Sequence, residues 1–226
     1  MITYGNALNC FTDASYIDGT TCAGYVLIYK GKILEQDARI CSCKSNNYGE
    51  AYAVYMGVLA LYRNINISPY LNLFSDSKLT TDALKDWCRG WVKASKDGIF
   101  RNKEGKEVAN QEVFKSIIYN IYWNNTTIQI FHQLAHLNRN SEKDMKKMKE
   151  RFFMENGVIL SDEILLELCH YNAYIDHYTR NCMIDIKKRG YRLDSFGAPM
   201  DIVHREIDHN IINNYIPLLQ DENGRF

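Results

Sequence analysis

The sequence has no long hydrophobic segment, no net charge and no regular cysteine spacing. Its longest apolar run, residues 51–62, is too short to span a bilayer, and residues 1–15 lack the basic start and apolar stretch of a secretory signal. The seven cysteines are odd in number and do not form a disulfide framework. These absences predict a cytoplasmic protein with no membrane span and with free thiols.

Composition and charge distribution describe what is present. Of the 226 residues, 46% are hydrophobic and 24% charged, which is typical of a globular protein with a real core. Residues 1–150 contain 19 Lys and Arg against 15 Asp and Glu, whereas the remainder contains 8 against 12, so the two parts carry +4 and −4. The basic excess lies between Lys85 and Lys106, around Trp87 and Trp91. Basic side chains beside aromatic rings are typical of a nucleic-acid groove, although the tryptophans could instead serve the core.

The order of predicted elements indicates an α/β fold with a mixed five-stranded sheet flanked by helices. Three strands at the start are close enough in sequence to pair antiparallel, and helices then alternate with two further strands. The strands are predicted over 8–12, 23–29, 32–43, a short stretch ending on Asp76, and 127–133, and the helices over 48–63, 78–89, 110–122 and about 140–152.

Four carboxylates lie where predicted elements begin or end. Asp13 and Asp76 follow the first and fourth strands, and Glu50 and Asp144 lie in first helical turns, with His136 in the loop before Asp144. Each position has an ordinary explanation, since Asp suits turns and acidic residues stabilise helix N-termini. Together, however, such oxygen ligands suit Mg²⁺ or Mn²⁺.

Short motifs around these acids resemble a known family. The segments "FTDAS", "SNNYGEAYAV", "FSDS" and "HLNRNSEKD" are similar, in order, to the four acidic motifs of type 1 ribonuclease H, and the two tryptophans lie 11 and 15 residues after Asp76, as in that family. The resemblance covers about residues 5–153 and implies a ribonuclease H-like catalytic domain over 1–153 that cuts the RNA strand of RNA-DNA hybrids. Three departures are Ala14, where many members carry glycine, a first hairpin loop without the usual Gly/Pro-rich run, and the sequence "HQLA" before His136 in place of the common Lys-Gly.

The resemblance also implies roles for individual residues. Asp13, Glu50, Asp76 and Asp144 would hold two Mg²⁺ ions, which Mn²⁺ can replace, and His136 would assist turnover. Two ions bridged by one carboxylate, for which Asp13 is the candidate, can activate water and stabilise the leaving oxygen, giving 5′-phosphate and 3′-hydroxyl ends. Asn46 and Asn47 offer hydrogen bonds to a ribose 2′-hydroxyl, although helix capping is an alternative role. The implied substrate-binding residues are Ser15, Asn46, Asn47, Trp87, Trp91, Lys93 and Asn140.

Residues 154–226 lie outside the resemblance and are predicted to form a helical C-terminal extension of unknown role. Two helices are expected, the first capped by Ser161 and the second ending near Gly190, with another helix after a break. The extension either packs on the first domain or is a candidate site for a partner protein. Alternatively, its apolar residues complete the core of the first domain; those residues are Ile164, Leu165, Leu168 and Ile184.

Two other functions compete with hybrid cleavage. A DNA-directed nuclease or recombinase of the same fold is one, because fold does not fix the substrate. A nucleic-acid-binding module without catalysis is the other. The intact acidic residues argue against the binding module, and the basic segment with its tryptophans argues against the DNA-directed enzyme.

Overall fold

A five-stranded mixed sheet is the framework of the structure, a computed structural model that describes residues 4–17, 19–42, 45–95, 97–124, 127–134 and 141–189. The strand order is β3-β2-β1-β4-β5, with β1, β2 and β3 antiparallel and β1, β4 and β5 parallel, which confirms the predicted fold class. The strands are β1 Leu8–Ile17, β2 Thr20–Tyr29, β3 Lys32–Ser42, β4 Leu71–Ser75 and β5 Ile128–His132. The helices are α1 Asn46–Arg63, α2 Lys78–Asp82, α3 Cys88–Ala94, α4 Gln111–Trp123, α5 Glu142–Asn156 and α6 Asp162–Arg189, with a π-helical segment, Ala83–Trp87, between α2 and α3.

The first strand is longer than its apolar run predicts. Its parallel pairing with β4 ends at Thr12, opposite Ser75, but its antiparallel pairing with β2 continues through Asp13, opposite Gly24, to Ile17. The prediction that the strand ends at Asp13 is therefore wrong, because the β1–β2 hairpin extends past the end of β4. This register leaves Asp13 next to the residue that follows β4.

Helix α1 packs closely on the inner face of the sheet through small residues. A Cβ atom added at Gly57 would lie 2.8 Å from Cγ2 of Thr12, and one added at Gly49 would lie 2.1 Å from Cγ2 of Thr21. Such short distances mean that only glycine allows the helix to approach so closely. Since Glu50 follows Gly49, the same approach brings its carboxylate against the sheet.

The C-terminal extension begins with one helix and not two. Ser161 caps α6 as predicted, since its Oγ accepts a hydrogen bond from the backbone N–H of Ile164 at 3.4 Å. The helix then continues to Arg189 because residues 162–189 contain neither glycine nor proline, the residues that most strongly interrupt helices. The polar Asn172 does not interrupt it either: its buried side-chain oxygen accepts a hydrogen bond from the side chain of Gln133.

Helix α6 covers the outer face of the sheet. Its buried Leu165, Leu168 and Ile175 belong to the same apolar cluster as Phe11 of β1 and Phe74 of β4. The Phe11 and Phe74 rings stack with centroids 4.8 Å apart, and the Phe11 and Tyr171 centroids lie 5.3 Å apart. Apolar residues of α6 thus form part of the hydrophobic core on the outer face of the sheet.

This outer cluster spans the predicted boundary between residues 153 and 154. Phe152 of α5 and Leu160 before α6 are both buried in it. Of the apolar residues named from the sequence, Leu165 and Leu168 are buried, Ile164 is partly buried against the cluster, and Ile184 is 38% exposed. The contacts therefore favour the alternative in which the extension completes the core.

Neighbouring leucines of α6 allow a matched test of this packing. Leu168→Ala is expected to lower the free energy of unfolding by about 2–5 kcal/mol, because Leu168 is fully buried and its loss leaves a cavity. Leu166→Ala, at a position 42% exposed on the same helix, is expected to change it by no more than about 0.5 kcal/mol. Urea unfolding measures both values, and equal effects would show that α6 does not pack on the sheet.

Within the described part of the chain, none of the helices combines the length and apolar character needed to cross a membrane. None of the described cysteines is part of a disulfide bond; they are Cys10, Cys22, Cys88, Cys169 and Cys182.

Candidate active site

Three carboxylates converge at the edge where β1 and β4 lie side by side. Asp13, Glu50 and Asp76 each offer an oxygen, and these atoms all lie within 4.8 Å of one another. The pairing of Thr12 with Ser75 sets Asp13 beside Asp76, while the close approach of α1 adds Glu50. Three of the four acids predicted as ligands are thus brought together.

The prediction that Glu50 lies in the first turn of its helix is wrong, because it lies one turn later. Helix α1 begins at Asn46, and its N-cap is Ser45, whose Oγ accepts a hydrogen bond from the backbone N–H of Tyr48 at 3.4 Å. The favourable interaction of an acidic side chain with the helix dipole falls off within the first turn. This interaction therefore explains the presence of Glu50 less well. Asn46 and Asn47 are not the capping residues either; both lie at the start of the helix and are exposed.

Burial and mutual repulsion raise the free energy of the charged form of these three carboxylates. Burial, followed by the charge of Asp76, raises the pKa of Asp13 to about 7. Burial, followed by the charges of Asp13 and Asp76, raises the pKa of Glu50 well above its usual range. Buried carboxylates of like charge favour protonation unless a cation compensates them.

One buried oxygen of the group lacks a partner among the described residues. Oε1 of Glu50 accepts a long hydrogen bond of 3.4 Å from the side chain of Asn46, whereas Oε2 has none. A buried carboxylate oxygen without a partner is unfavourable, and a divalent cation would satisfy it. The donor set, oxygen atoms of three carboxylates, suits a hard cation such as Mg²⁺.

The remaining predicted catalytic residues stand apart from this group or outside the described residues. Asp144 lies in the first turn of α5, where its backbone N–H donates to Oγ of the capping Ser141 at 3.3 Å, and it is not one of the three converging carboxylates. Its role as a ligand stays a prediction. His136 and Asn140 lie outside the described residues.

The carboxylates open into a polar cleft with four walls. Strand β1 contributes Ser15, and α1 contributes Asn46 and Asn47, so three predicted substrate-binding residues line it. The other walls come from the start of α2 and, unexpectedly, from α6. Those two walls contribute Asp76, Ser77, Lys78, Leu79, Asp176, Arg180 and Ile184.

The two tryptophans of the basic segment have different environments. Trp87 is 42% exposed, but Trp91 is only 7% exposed and packs edge-on against Phe114, with ring centroids 5.4 Å apart. The ring of Trp91 therefore packs in the core, whereas Trp87 and Lys93 are exposed. The predicted contacts of these residues with substrate stay predictions. Arg101 of the same segment donates two hydrogen bonds, of 2.7 and 2.8 Å, to Asp97.

A buried histidine that the sequence analysis missed contacts the backbone of the carboxylate group. Nε2 of His132 lies 3.1 Å from the backbone oxygen of Asp76, and its Nδ1 contacts the carboxylate of Glu155. The side chain of Asn156 binds both the N–H and the carbonyl of His132, at 3.0 and 2.8 Å. His132 ends β5, which pairs with β4, the strand that ends just before Asp76. This position at a strand end could have indicated His132 as a site residue.

Known proteins similar to this chain include a ribonuclease H and a viral reverse transcriptase. The RNase H family model matches residues 5–147. A ribonuclease H from Campylobacter curvus (strain 525.92) is 28% identical over 110 residues, which cover 48% of this chain and 68% of that protein. Among solved structures, native prototype foamy virus protease-reverse transcriptase is 14% identical, with a TM-score of 0.50 over 71% of this chain and 22% of that one. LC11-RNase H1 in complex with an RNA/DNA hybrid is also 14% identical, with a TM-score of 0.42 over 67% and 93%. Because the family model covers well over half of its residues, the chain belongs to the ribonuclease H family of nucleases.

Proposed function

We propose that this ribonuclease H is an endonuclease that hydrolyses the RNA strand of RNA-DNA hybrids with the help of two divalent metal ions. The observation that carries the proposal is the convergence of Asp13, Glu50 and Asp76, two of them buried, at one polar cleft. The membership in the family supports the substrate class. The expected products carry 5′-phosphate and 3′-hydroxyl ends.

Asp13 lies on β1, the central strand of the sheet, and is the proposed shared ligand of the two ions. Glu50 and Asp76 would complete the inner ligands, and Asp144 would reach one ion from the N-terminus of α5. Mg²⁺ fits these oxygen donors, and Mn²⁺ can replace it. When bound, such ions activate a water molecule and stabilise the leaving oxygen of an in-line displacement.

Discrimination of RNA from DNA would rest on Asn46 and Asn47. Both side chains line the cleft next to Glu50, and an amide can both donate to and accept from a 2′-hydroxyl. The structure supports this role because Ser45 caps α1 in their place.

Cleavage of three labelled duplexes by the full-length protein tests the proposal. An RNA-DNA hybrid, a duplex RNA and a duplex DNA are each incubated with Mg²⁺ or with EDTA, and the products are sized and their ends identified. Only the RNA strand of the hybrid should be cut, and only with metal. Cleavage of duplex DNA alone would indicate a DNA-directed nuclease, and binding without cleavage would indicate a non-catalytic module.

Paired tryptophan variants test the path of the substrate. Trp87→Ala is expected to weaken hybrid binding by about 1–3 kcal/mol, the usual value of one base-aromatic stack, and to leave the melting temperature nearly unchanged. Trp91→Ala is expected to lower the stability of the protein by about 3–5 kcal/mol, because its ring is buried. Fluorescence anisotropy and thermal melting measure the two effects. Unaltered binding by Trp87→Ala would remove this residue from the substrate surface.

A further inference from the structure

Helix α6 follows the residues that the family model matches, yet it forms a wall of the catalytic cleft. Asp176, Arg180 and Ile184 line the cleft and are spaced four residues apart, so they lie on one face of the helix. Other residues of the same helix are anchored in the outer core cluster. The wall is therefore a fixed part of the fold.

Direct contacts hold this wall next to Asp13. The hydroxyl of the buried Thr179 lies 3.0 Å from that of Ser15, two residues after Asp13 on the same face of β1. A Cβ atom added at Gly24, which is paired with Asp13 in the sheet, would lie 2.7 Å from Cγ2 of Thr179. The absence of a side chain at Gly24 thus permits the close approach of α6 to the catalytic strand.

Among the residues that the structure describes, the cleft contains few cations that could bind a polyanionic substrate. Its described lining holds the carboxylates of Asp13, Glu50, Asp76 and Asp176, and two basic residues, Lys78 and Arg180. Nζ of Lys78 is held by both carboxylate oxygens of Asp82, at 2.9 and 3.0 Å.

Arg180 is bound less tightly than Lys78. Its Nη2 lies 3.6 Å from the carboxylate of Asp176, which is longer than a strong charged hydrogen bond, and 58% of its side chain is exposed. It also lines the same cleft as Asp13. The guanidinium is thus near Asp13, accessible and only loosely paired.

We propose that Arg180 binds a backbone phosphate of the nucleic-acid substrate, so that α6 is part of the substrate-binding surface. A planar guanidinium suits phosphate oxygens, which it can bind through two parallel hydrogen bonds. Asp176 positions the guanidinium at the cleft before substrate arrives and competes with the phosphate for it. The identity of the substrate as a hybrid rests on the proposed function, but a phosphate contact does not depend on it.

Binding measured over a range of salt concentrations tests this proposal with the full chain. A fluorescein-labelled RNA-DNA hybrid is titrated in EDTA, which prevents metal-dependent cutting, with the wild type, Arg180→Ala, Arg180→Lys and Arg151→Ala. Arg151 is an exposed arginine of α5 that does not line the cleft, and serves as the matched control. Arg180→Ala should weaken binding roughly three- to tenfold and reduce the slope of log K against log salt by about 0.9. Arg180→Lys should keep the slope, and Arg151→Ala should match the wild type.

Asp176→Asn should change the affinity for hybrid in the opposite direction to Arg180→Ala. Removing this carboxylate should tighten hybrid binding by roughly twofold or more, since it removes a competitor for the guanidinium and a charge that repels phosphate. A purely structural role of α6 would not produce opposite effects at the two positions. Equal melting temperatures of the variants verify that the comparison is between folded proteins.

Failure of this proposal is distinguishable from failure of the proposed function. An unchanged slope for Arg180→Ala would overturn the phosphate contact even if the wild type cuts hybrid. Tighter binding by Arg180→Ala would overturn it too and would show that the side chain obstructs the cleft. If the wild type binds but does not cut hybrid, the catalytic function fails while the slopes still decide the role of Arg180. If the protein binds duplex DNA instead of hybrid, the same titration with duplex DNA tests the contact of Arg180 with phosphate. Binding to neither duplex would overturn this contact.

Discussion

Asp13→Asn is expected to abolish hybrid cleavage in Mg²⁺ while leaving the protein folded, and Asp76→Asn is expected to do the same. An asparagine side chain keeps the shape of aspartate but loses the charge that would hold the ions. Loss of several kcal/mol of transition-state stabilisation corresponds to a rate reduction of roughly 10³-fold or more. Single-turnover cleavage measures it, with Asp162→Asn as a control because Asp162 is an exposed aspartate of α6 that does not line the cleft.

The same substitution at Asp13 should stabilise the protein when metal is removed. Burial and Asp76 raise the pKa of Asp13 from 3.8 to about 7, so between about pH 4 and pH 7 the folded state binds more protons than the unfolded state. Stability in EDTA should therefore fall as the pH rises through this window and stay low above it. The amide of the Asp13→Asn variant cannot titrate, so its melting temperature at pH 8 should exceed that of the wild type by several degrees.

Two results would contradict this account. Turnover near the wild-type level by either variant would overturn the assignment of Asp13 and Asp76 as metal ligands. A melting temperature of Asp13→Asn in EDTA at or below that of the wild type at pH 8 would show that repulsion within the carboxylate group is not a cost to the fold. Added Mg²⁺ should narrow the difference, because an ion that binds only the folded state stabilises it.

A chain that ends at residue 157, before α6, is expected not to fold. The buried apolar side chains of α6 each contribute about 1.5–3 kcal/mol, so together they supply roughly 10 kcal/mol, which is comparable to the whole stability of a typical domain. Their removal would also expose Phe11, Val26 and Phe74 on the outer face of the sheet. The contributing side chains are Leu165, Leu168, Tyr171, Ile175 and Met183.

Expression and thermal melting of two truncated chains decide this point. A chain of residues 1–157 should be insoluble or lack a cooperative transition. A chain of residues 1–189 keeps every core residue that the structure describes and should melt cooperatively. A soluble, cooperatively folded 1–157 chain would instead support the division into two domains at residue 153.

The fold class and three of the cleft carboxylates could be predicted from the sequence, because both depend on local patterns. Apolar runs define the strands, and the positions of Asp13 and Asp76 relative to these runs predict their proximity in a parallel pair. The continuation of β1 past Asp13 was not predictable from the same pattern. Polar residues in that segment resemble a turn, and only the pairing with β2 and the cover of α6 keep them in a strand.

The environment of individual side chains depends on distant contacts that periodicity does not reveal. Trp87 and Trp91 are four residues apart and would be expected on one helix face, yet Trp91 alone is covered by Phe100 of the following loop and by Phe114 of α4. Similarly, the spacing of apolar residues in α6 predicts a buried helix face but not the surface that buries it. For this reason no local pattern indicates that Asp176 and Arg180 lie beside Asp13.

The anchoring of the cleft walls in the core has a consequence for heat inactivation. Strand β1, helix α1 and helix α6 each carry both cleft residues and core residues. None of these three described walls can therefore move away from the catalytic group without opening a core cluster. Activity and global structure should consequently be lost at the same temperature. An enzyme that is heated to just below this temperature and then cooled should have full activity at once, with no slow recovery phase.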